Sequence, residues 1–233
     1  GVENVGGVCG YHSDANSDTY IFYGMNDGTV TGEDNVGGIC GESMCDIKLC
    51  SNTGEVNGNN HVGGILGRRR GGLIGSCYNA GAINCKYGDS GSILGNNFSD
   101  NTVTTPVIVD CYYNTDIYTY GLGVNDSSVF ENFKGKNTEQ FASGEVAYLL
   151  NANGNQGGIA WGQEIGVDKL PVLGGMKVYA TTGCVTYSND PDNIGEKQHK
   201  FINGSDTCSF CGSYIPAEAD ENGIYQIDSV TDL

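Results

Sequence analysis

The stretch Val36-Gly37-Gly38-Ile39-Cys40-Gly41 decides the fold, because related stretches recur along the chain at a nearly constant interval. They begin at Val5, Val62 and Ser90, so the successive intervals are 31, 26 and 28 residues. A second motif keeps the same step and reads Asn26-Asp27-Gly28-Thr29-Val30, Asn52-Thr53-Gly54-Glu55-Val56 and Asn79-Ala80-Gly81-Ala82-Ile83. A period of about 20–50 residues is typical of solenoids, propellers and repeat arrays.

Within each repeat the apolar runs are short and β-prone, and Asn, Gly and Asp separate them. Such a unit predicts three short strands joined by turns, and no stretch shows helical periodicity. One repeat cannot bury its own apolar face, whereas coils stacked ~4.8 Å apart pair every strand with its equivalent above and below. A propeller blade needs about 40–45 residues. The sequence therefore predicts an all-β protein whose residues 1–128 form a parallel β-helix.

Three sets of recurring residues have predicted places in such coils. A bend at Gly37-Gly38 would turn both Val36 and Ile39 inward, since Gly tolerates unusual dihedral angles. Asparagines that recur before a turn could hydrogen-bond in a ladder; they are Asn26, Asn52, Asn79 and Asn114. Cysteines would stack in two columns, either as free thiols, which we favour, or as disulfides; the columns are Cys9 with Cys40, and Cys50 with Cys77 and Cys111.

The two phased motifs resemble the GLUG-motif repeats of bacterial surface proteins. Such repeats occur in extracellular proteins of gut bacteria and beside the peptidase domain of IgA-protease-like metallopeptidases. The resemblance covers roughly residues 1–125. It implies a right-handed β-helix and a place at the bacterial cell surface, and it implies no catalytic activity for the repeats.

Composition and charge exclude several classes of partner. The formal net charge is −17, from 28 acidic side chains against 11 Lys and Arg. Such a surface repels phosphate backbones and anionic lipid, which argues against nucleic acid and membrane-surface partners. No run of 18 apolar residues is present, so no membrane insertion is expected. The chain opens close to a repeat already under way, and we expect further domains of the same polypeptide.

Residues 129–182 lose the period and predict a capping segment with one helix, placed over the last coil. Asn137 would be its N-cap with Gln140 reaching back, and Asn151 would end it. A strand pair around Trp161 and Val172 would follow. The segment also resembles the one that often follows GLUG repeats. Trp161 would pack the cap onto the last coil or, alternatively, stack on a sugar ring.

Residues 183–217 carry a candidate metal site. Four residues have the spacing of a structural zinc site that needs three thiolates and an imidazole; they are Cys184, His199, Cys208 and Cys211. The prediction is a small zinc-ribbon-like module whose folding depends on the metal. Disulfides among the cysteines are the alternative, and residues 218–233 would begin a following domain.

Weaker signals point to other ligands. Asp14, Asn16 and Asp18 resemble the start of an EF-hand loop. The two later positions at which an EF-hand loop has Gly and Glu hold other residues here, so calcium is a minor candidate. Arg68-Arg69-Arg70 is interpreted as a solvated turn rather than an anion site. Tyr112, Tyr118 and Tyr120 could form an aromatic strip for glycan stacking, and Trp161 is a further candidate for such a contact.

Two functions fit these features. The first is a non-catalytic module of a large secreted or cell-surface bacterial protein, acting as an adhesin, a stalk or a scaffold that contacts a glycan or a host surface protein. The second is a polysaccharide-degrading β-helix enzyme or an accessory region of a surface peptidase. Lyases and hydrolases on β-helices need a carboxylate pair or a calcium-binding Asp cluster on neighbouring coils, with Lys or Arg as the base. The repeats hold Gly, Asn and Thr there, which favours the first function.

Overall fold

A computed structural model of the chain describes residues 1–13, 19–98, 107–123, 130–151, 160–183, 185–193 and 195–197. Two compact units are formed, Gly1–Lys177 and Val178–Leu233. The first unit holds the repeats.

The repeats wind into a parallel β-solenoid of about three turns, which confirms the predicted all-β parallel β-helix. Its hand stays a prediction. Equivalent strands of successive repeats pair in parallel and in register. The first sheet holds Glu3–Gly6, Asp34–Gly37, Asn60–Gly63 and Ser90–Gly91, and the second holds Cys9–His12, Cys40–Ser43, Leu66–Arg69 and Leu94–Asn97. The third holds Tyr20–Phe22, Met25–Asn26, Asp46–Lys48, Ser51–Asn52, Ile74–Gly75, Tyr78–Asn79, Ile108–Asn114 and Phe130–Lys136. The fourth holds Val30–Thr31, Val56–Gly58 and Ile83–Cys85.

The coil interior contains two separate apolar clusters. Ile39, like its equivalents Ile65 and Ile93, packs in the larger cluster between the second and third sheets. Val36 packs instead with Val56 and other valines between the first and fourth sheets. Both Val36 and Ile39 are therefore buried, as expected, but they face different clusters.

The glycine pair is required by space and not by an unusual dihedral angle, which corrects the predicted reason for it. Gly37 and Gly38 do not have left-handed φ values. A Cβ on Gly37 would lie 1.9 Å from the carbonyl oxygen of Cys40. A Cβ on Gly38 would lie 2.2 Å from the carbonyl oxygen of Gly64 and 2.5 Å from Cγ of Asn52. A larger residue at Gly37 would clash within its own coil, and one at Gly38 would clash with the next coil, because these contacts are with backbone atoms and a buried amide.

The predicted asparagine ladder is present over three coils. Asn26 Nδ2 donates to Asn52 Oδ1 at 2.7 Å, and Asn52 Nδ2 donates to Asn79 Oδ1 at 2.8 Å. Asn79 Nδ2 ends the ladder by donating to Ser92 Oγ at 2.8 Å. Asn114 does not belong to it, because Asn79 is in register with Tyr113. Asn114 donates to Thr138 Oγ1 instead.

The cysteines stack as predicted. Cys9 is in register with Cys40, and the backbone N–H of Cys50 lies 3.4 Å from Sγ of Cys77. These thiols are free in the structure. Burial raises the pKa of the Cys77 thiol, and the neighbouring Cys77 together with burial raises the pKa of Cys50.

The coil stacking extends beyond residue 128, where the sequence predicts its end. Phe130–Lys136 pairs in parallel with the whole of Ile108–Asn114. Two short helices follow, Thr138–Ala142 and Glu145–Leu150, where one was predicted. The predicted capping box between Asn137 and Gln140 is confirmed. The helix is interrupted because Gly144 adopts φ 89°. Trp161–Gly162 pairs with Val172–Leu173, as expected.

This segment packs against the side of the solenoid and does not lie over its open end as predicted. We call residues 137–151 and 160–173 the buttress. Its Phe141, Leu150 and Trp161 pack with Tyr78 and Tyr112 from successive coils of the third sheet. Those two tyrosines follow Cys77 and Cys111 in the chain, so alternation turns their rings outward. Large apolar rings on an outer face need cover, and the buttress provides it.

The second unit contains Tyr179–Ala180 paired with Tyr187–Ser188, and Thr182–Gly183 paired with Glu196–Lys197. A 3-10 turn spans Pro191–Asn193. Neither of the two helices that the structure describes is long and apolar enough to cross a membrane.

Candidate functional site

A groove of about 470 Å³ lies where the buttress meets the third sheet, and we call it the corner groove. Coil residues form its floor and one wall, while the end of the second helix and Ala160 form the other wall. The residues that matter for its chemistry are Phe22, Tyr23, Lys48, Ser76, Asp110 and Asn151.

The floor follows a column of left-handed corners. Tyr23, Leu49, Ser76 and Asp110 have φ between 50° and 58°, and all four line the groove. The last three each precede a cysteine of the buried column, so the corner returns the next side chain to the interior. Bulky residues with positive φ are rare and are held only where the surrounding structure fixes them. The corner side chains therefore stand on a stiff backbone.

Aromatic rings form the exposed part of the wall. The Phe22 side chain is 41% exposed and Tyr23 is 60% exposed. The Phe22 ring stacks on Tyr20 with centroids 4.7 Å apart and contacts Tyr23 at 5.9 Å. Because the rings pack on one another, they lose little conformational entropy when a ligand binds, and they present a flat apolar surface to it.

Two charged residues, Lys48 and Asp110, line the same groove as these rings. Lys48 Nζ lies 2.7 Å from Asp46 Oδ2, and both side chains are one-third exposed. Burial opposes ionisation of Asp46, but hydrogen bonds from Lys48 and from the Leu73 backbone hold its pKa below the usual value. Asp110 Oδ1 accepts a hydrogen bond of 2.8 Å from Asn132. Lysine and carboxylate are thus oriented before any ligand arrives.

The buttress wall is fixed by buried polar contacts. The Asn151 amide donates to the carbonyls of Ala147 and Trp161 and accepts from the backbone N–H groups of Ala160 and Trp161. Trp161 Nε1 donates to the carbonyl of Ser76 at 2.9 Å. The Tyr78 hydroxyl donates to the Pro171 carbonyl at 2.8 Å, and burial raises the pKa of Tyr78 to about 12. These bonds join the buttress to the coil whose corner is Ser76.

A second, more open groove of about 480 Å³ lies over the fourth sheet. Asn57 and Asn84 line it, and Asn84 Nδ2 donates to Asn57 Oδ1 at 2.9 Å. Tyr118 also lines it, with its hydroxyl 2.7 Å from Ser90 Oγ. Tyr120 contacts the Tyr118 ring edge-on at 6.3 Å and is 68% exposed.

The structure separates the predicted glycan contacts. Tyr118 lines the second groove and Tyr120 contacts its ring, and a glycan contact at these two residues stays a prediction. Tyr112 is 2% exposed and Trp161 is fully buried. The predicted glycan contact at these two residues is wrong, because both rings pack between the buttress and the third sheet.

The predicted metal ligands lie outside the described residues. They are Cys184, His199, Cys208 and Cys211 for zinc and Asp14, Asn16 and Asp18 for calcium. Both sites stay predictions. Within the described ranges, no group of three or more His, Cys, Asp or Glu side chains is placed to hold a metal ion.

Sequence reasoning missed the corner groove. The run Tyr20-Ile21-Phe22-Tyr23 shows three aromatic residues around one buried isoleucine, which was an available signal. Nothing in the sequence showed that Lys48 and Asp110 would share a groove with those rings, because the contact depends on the stacking of coils.

The fold and its lateral grooves define the chain as a parallel β-solenoid protein. No protein-family model matches the sequence, and no curated protein matches it. A protein from Bacteroides ovatus that bears the provisional name immunoglobulin A1 protease has a similar crystal structure, with 21% sequence identity and a TM-score of 0.48. The match covers 74% of this chain and 53% of that one, so the present chain spans about half the length of that protein.

Proposed function

We propose that the chain is a non-catalytic module of a bacterial extracellular protein and that it binds a glycan in the corner groove. The observation that carries this proposal is the pair of exposed rings, Phe22 and Tyr23, beside Lys48 and Asp110 on a stiff corner of the solenoid.

The chemistry of the groove suits a sugar. A pyranose ring has an apolar face that packs on an aromatic ring and a rim of hydroxyl groups that need donors and acceptors. Phe22 and Tyr23 supply the apolar surface, while Lys48 and Asp110 supply a donor and an acceptor. The volume of about 470 Å³ lies within the usual range for small-ligand sites, roughly 300–1,000 Å³.

The same groove is poorly equipped for hydrolysis. Glycoside hydrolysis usually needs two carboxyl groups about 5–9.5 Å apart across the scissile bond. Among the described residues that line the groove, Asp110 is the one carboxylic acid, and Asn132 already occupies one of its oxygens. The rings and single charges of the groove therefore support a glycan-binding function. They give less support to the alternative function, a polysaccharide-degrading enzyme or an accessory region of a surface peptidase.

The remaining parts of the proposal rest on the sequence. The net charge of −17 suits an extracellular protein that must stay soluble and avoid anionic surfaces. The solenoid would act as a rigid support that presents the groove, and a role as an adhesin or stalk follows from that.

The test is a glycan array followed by calorimetric titration of the best oligosaccharide into three variants. Phe22→Ala and Tyr23→Asn each remove a ring from the groove, and Asn tolerates the positive φ at residue 23. We expect each to weaken binding about 5-fold or more, since a lost ring contact is worth about 1 kcal/mol. Tyr11→Ala removes a 46% exposed ring from the second sheet and should leave affinity unchanged.

Two results would refute the proposal. The first is the absence of binding to any glycan by the intact chain. The second is an equal loss of affinity in Tyr11→Ala, which would show that the groove is not the site. Release of reducing ends during incubation with the bound oligosaccharide would favour the enzyme alternative.

A further inference from the structure

A cluster of charged and aromatic side chains lies at the second sheet, near the ends of the strands Cys40–Ser43, Leu66–Arg69 and Leu94–Asn97. Arg68 is in register with Glu42 on the preceding coil. The Glu42 carboxylate lies 3.7 Å from Arg68 Nη1 and 3.2 Å from Arg70 Nη1. Both guanidinium groups also lie over the Phe98 ring, at 4.5 Å and 5.8 Å from its centroid. Two cations therefore share one carboxylate and one aromatic ring.

The hydrogen-bond donors of Arg68 are not satisfied by the described part of the chain. Its side chain is only 25% exposed, and its Nε is buried without a hydrogen-bond partner. The contact with Glu42 is an ion pair that is too long for a hydrogen bond. Glu42 itself is 4% exposed and takes its closest contacts from Arg70 and from Asn35 Nδ2 at 3.2 Å. An unpartnered buried donor leaves the Arg68 guanidinium under-satisfied, and a further acceptor can contact the group through the exposed quarter of the side chain.

The local charge balance identifies the missing acceptor as an anion. Arg68 and Arg70 together carry two positive charges, and Glu42 neutralises one. Asp89, which precedes the first-sheet strand Ser90–Gly91, accepts from Asn96 and lies 3.9 Å from His61 Nε2. More distant carboxylates are screened over about 8 Å at physiological ionic strength. Among the described side chains, Glu42 is the one carboxylate that pairs with the two guanidinium groups, so one positive charge is in excess within this cluster.

Phe98 extends the cluster into a binding surface. It is 55% exposed even with Arg68 packed on it, so part of the ring remains free to contact an apolar group. A planar guanidinium fork binds carboxylate and sulfate oxygens with well-defined geometry, which lysine does not match. A guanidinium pair beside an exposed ring suits a ligand that carries an oxyanion on a ring with an apolar face.

We propose that Arg68, Arg70 and Phe98 form a subsite for an acidic sugar, in which the guanidinium groups bind a carboxylate or sulfate and Phe98 contacts the sugar ring. This subsite lies on the second sheet and does not rest on glycan binding in the corner groove, which belongs to the third sheet.

The first test observes Arg68 directly. In a nitrogen–proton correlation spectrum of the intact chain, the Arg68 Nε–H resonance is identified by its loss in Arg68→Lys. Glucose 6-sulfate and methyl glucuronoside are titrated at constant ionic strength, with sodium chloride as the control. We expect the resonance to shift in a saturable manner with either acidic sugar and to stay in place with chloride. An unchanged resonance with both sugars overturns the proposal, since an anion bound at the exposed part of the Arg68 guanidinium changes the environment of its Nε–H.

The second test separates the sugar from a simple ion. Methyl glucuronoside should bind about 5-fold or more tightly than acetate, because the Phe98 contact adds about 1 kcal/mol, and methyl glucoside should not compete. Equal affinity for acetate and the glucuronoside would show that the site recognises an anion without its sugar, and the proposal would fail.

Variants complete the experiment. Arg70→Gln should weaken glucuronoside binding about 10-fold, since a charge-assisted hydrogen bond is lost. Phe98→Ala should bring the glucuronoside down to the affinity of acetate. Lys134→Gln is the control, because it also removes one positive charge, from an exposed position on Phe130–Lys136 that lines neither groove. A loss of affinity in Lys134→Gln equal to that in Arg70→Gln would contradict the assignment.

Discussion

The substitution Asn52→Ala tests whether the asparagine ladder stabilises the solenoid. Asn52 is fully buried, and its side chain makes three hydrogen bonds. It accepts from Asn26 Nδ2 at 2.7 Å and donates to Asn79 Oδ1 and to the Gly54 carbonyl, both at 2.8 Å. Asn26 and Asn79 keep other partners after the substitution, whereas the Gly54 carbonyl loses its side-chain donor.

The magnitude follows from these bonds. A hydrogen bond contributes about 1 kcal/mol net, so three lost bonds lower the free energy of unfolding by about 3 kcal/mol. The matched control is Asn57→Ala, which removes one exposed bond from Asn84 and should cost about 0.5 kcal/mol. Asn52→Asp keeps the shape but removes both donors and buries a charge, so it should cost at least as much as Asn52→Ala.

The assay is equilibrium unfolding in urea, followed by circular dichroism and by fluorescence of Trp161, the sole tryptophan of the chain. Circular dichroism reports mainly on the coils, and Trp161 reports on the buttress. Coincident transitions would justify a two-state analysis. A cost for Asn52→Ala below about 1 kcal/mol, or one equal to that of Asn57→Ala, would refute the view that the ladder stabilises the stack.

Two further predictions concern packing and pH. Gly64→Ala should prevent folding or lower the free energy of unfolding by more than about 3 kcal/mol, because its Cβ would lie 2.1 Å from the Ser92 carbonyl oxygen and 2.3 Å from Asn79 Cγ. Gly195→Ala is the control and should be neutral in the same urea assay, because Gly195 has open space around it. Equal behaviour of the two variants would contradict the argument from lack of space. Stability should fall as pH rises above 9. Burial raises the pKa of the Cys77 thiol above its ordinary value of 9.0, and the neighbouring Cys77 raises the pKa of Cys50. Above pH 9 the unfolded chain therefore releases thiol protons that the folded chain keeps. The loss should be about 1 kcal/mol per thiol at pH 10, with Tyr78 adding to it between pH 10 and its raised pKa of about 12; urea midpoints under reducing conditions that do not change between pH 8 and pH 11 would contradict this expectation.

The coils could be predicted from the sequence because stacking imposes the same environment on equivalent residues of each repeat. Val36 and Val62 face the same cluster and therefore recur, as do Asn26, Asn52 and Asn79. The reason for the glycine pair could not be predicted in the same way. A recurring glycine indicates either an unusual dihedral angle or a lack of space, and only the position of the Gly64 carbonyl beside Gly38 decides between them.

The register of the fourth coil escaped prediction for a related reason. Asn114 follows Cys111 by three residues, whereas Asn52 and Asn79 follow their cysteines by two. The strand Ile108–Asn114 keeps Tyr113 in register with Asn79, so the ladder position falls on Tyr113, one residue earlier than expected. A motif with one additional residue cannot keep the same partner when backbone pairing fixes the register.

The lateral position of the buttress also depends on residues outside the repeat pattern. An uncovered coil end suggested a cap, but the sequence gives no direction for a segment that follows the last coil. The rings of Tyr78 and Tyr112 determine that direction, because they point outward and can be buried only by a neighbour on that side. The sequence shows that these residues are tyrosines, but a tyrosine on an outer face fits contact with a glycan as well as burial under another segment. Their burial in the structure decides between the two.

These outcomes share a physical cause. Inward positions and close-packed glycines are constrained by identical neighbours, so they repeat and reveal the scaffold. Outward positions face solvent on every coil and are free to differ, so a departure from a polar residue there indicates a specific contact. Phe22 and Tyr23, Tyr78 and Tyr112, and Arg68 with Phe98 are such departures, and each of them lies at a groove, under the buttress or in a charged cluster. In a solenoid the repeat therefore predicts the architecture, and the outward residues that break the repeat are the first candidates for function.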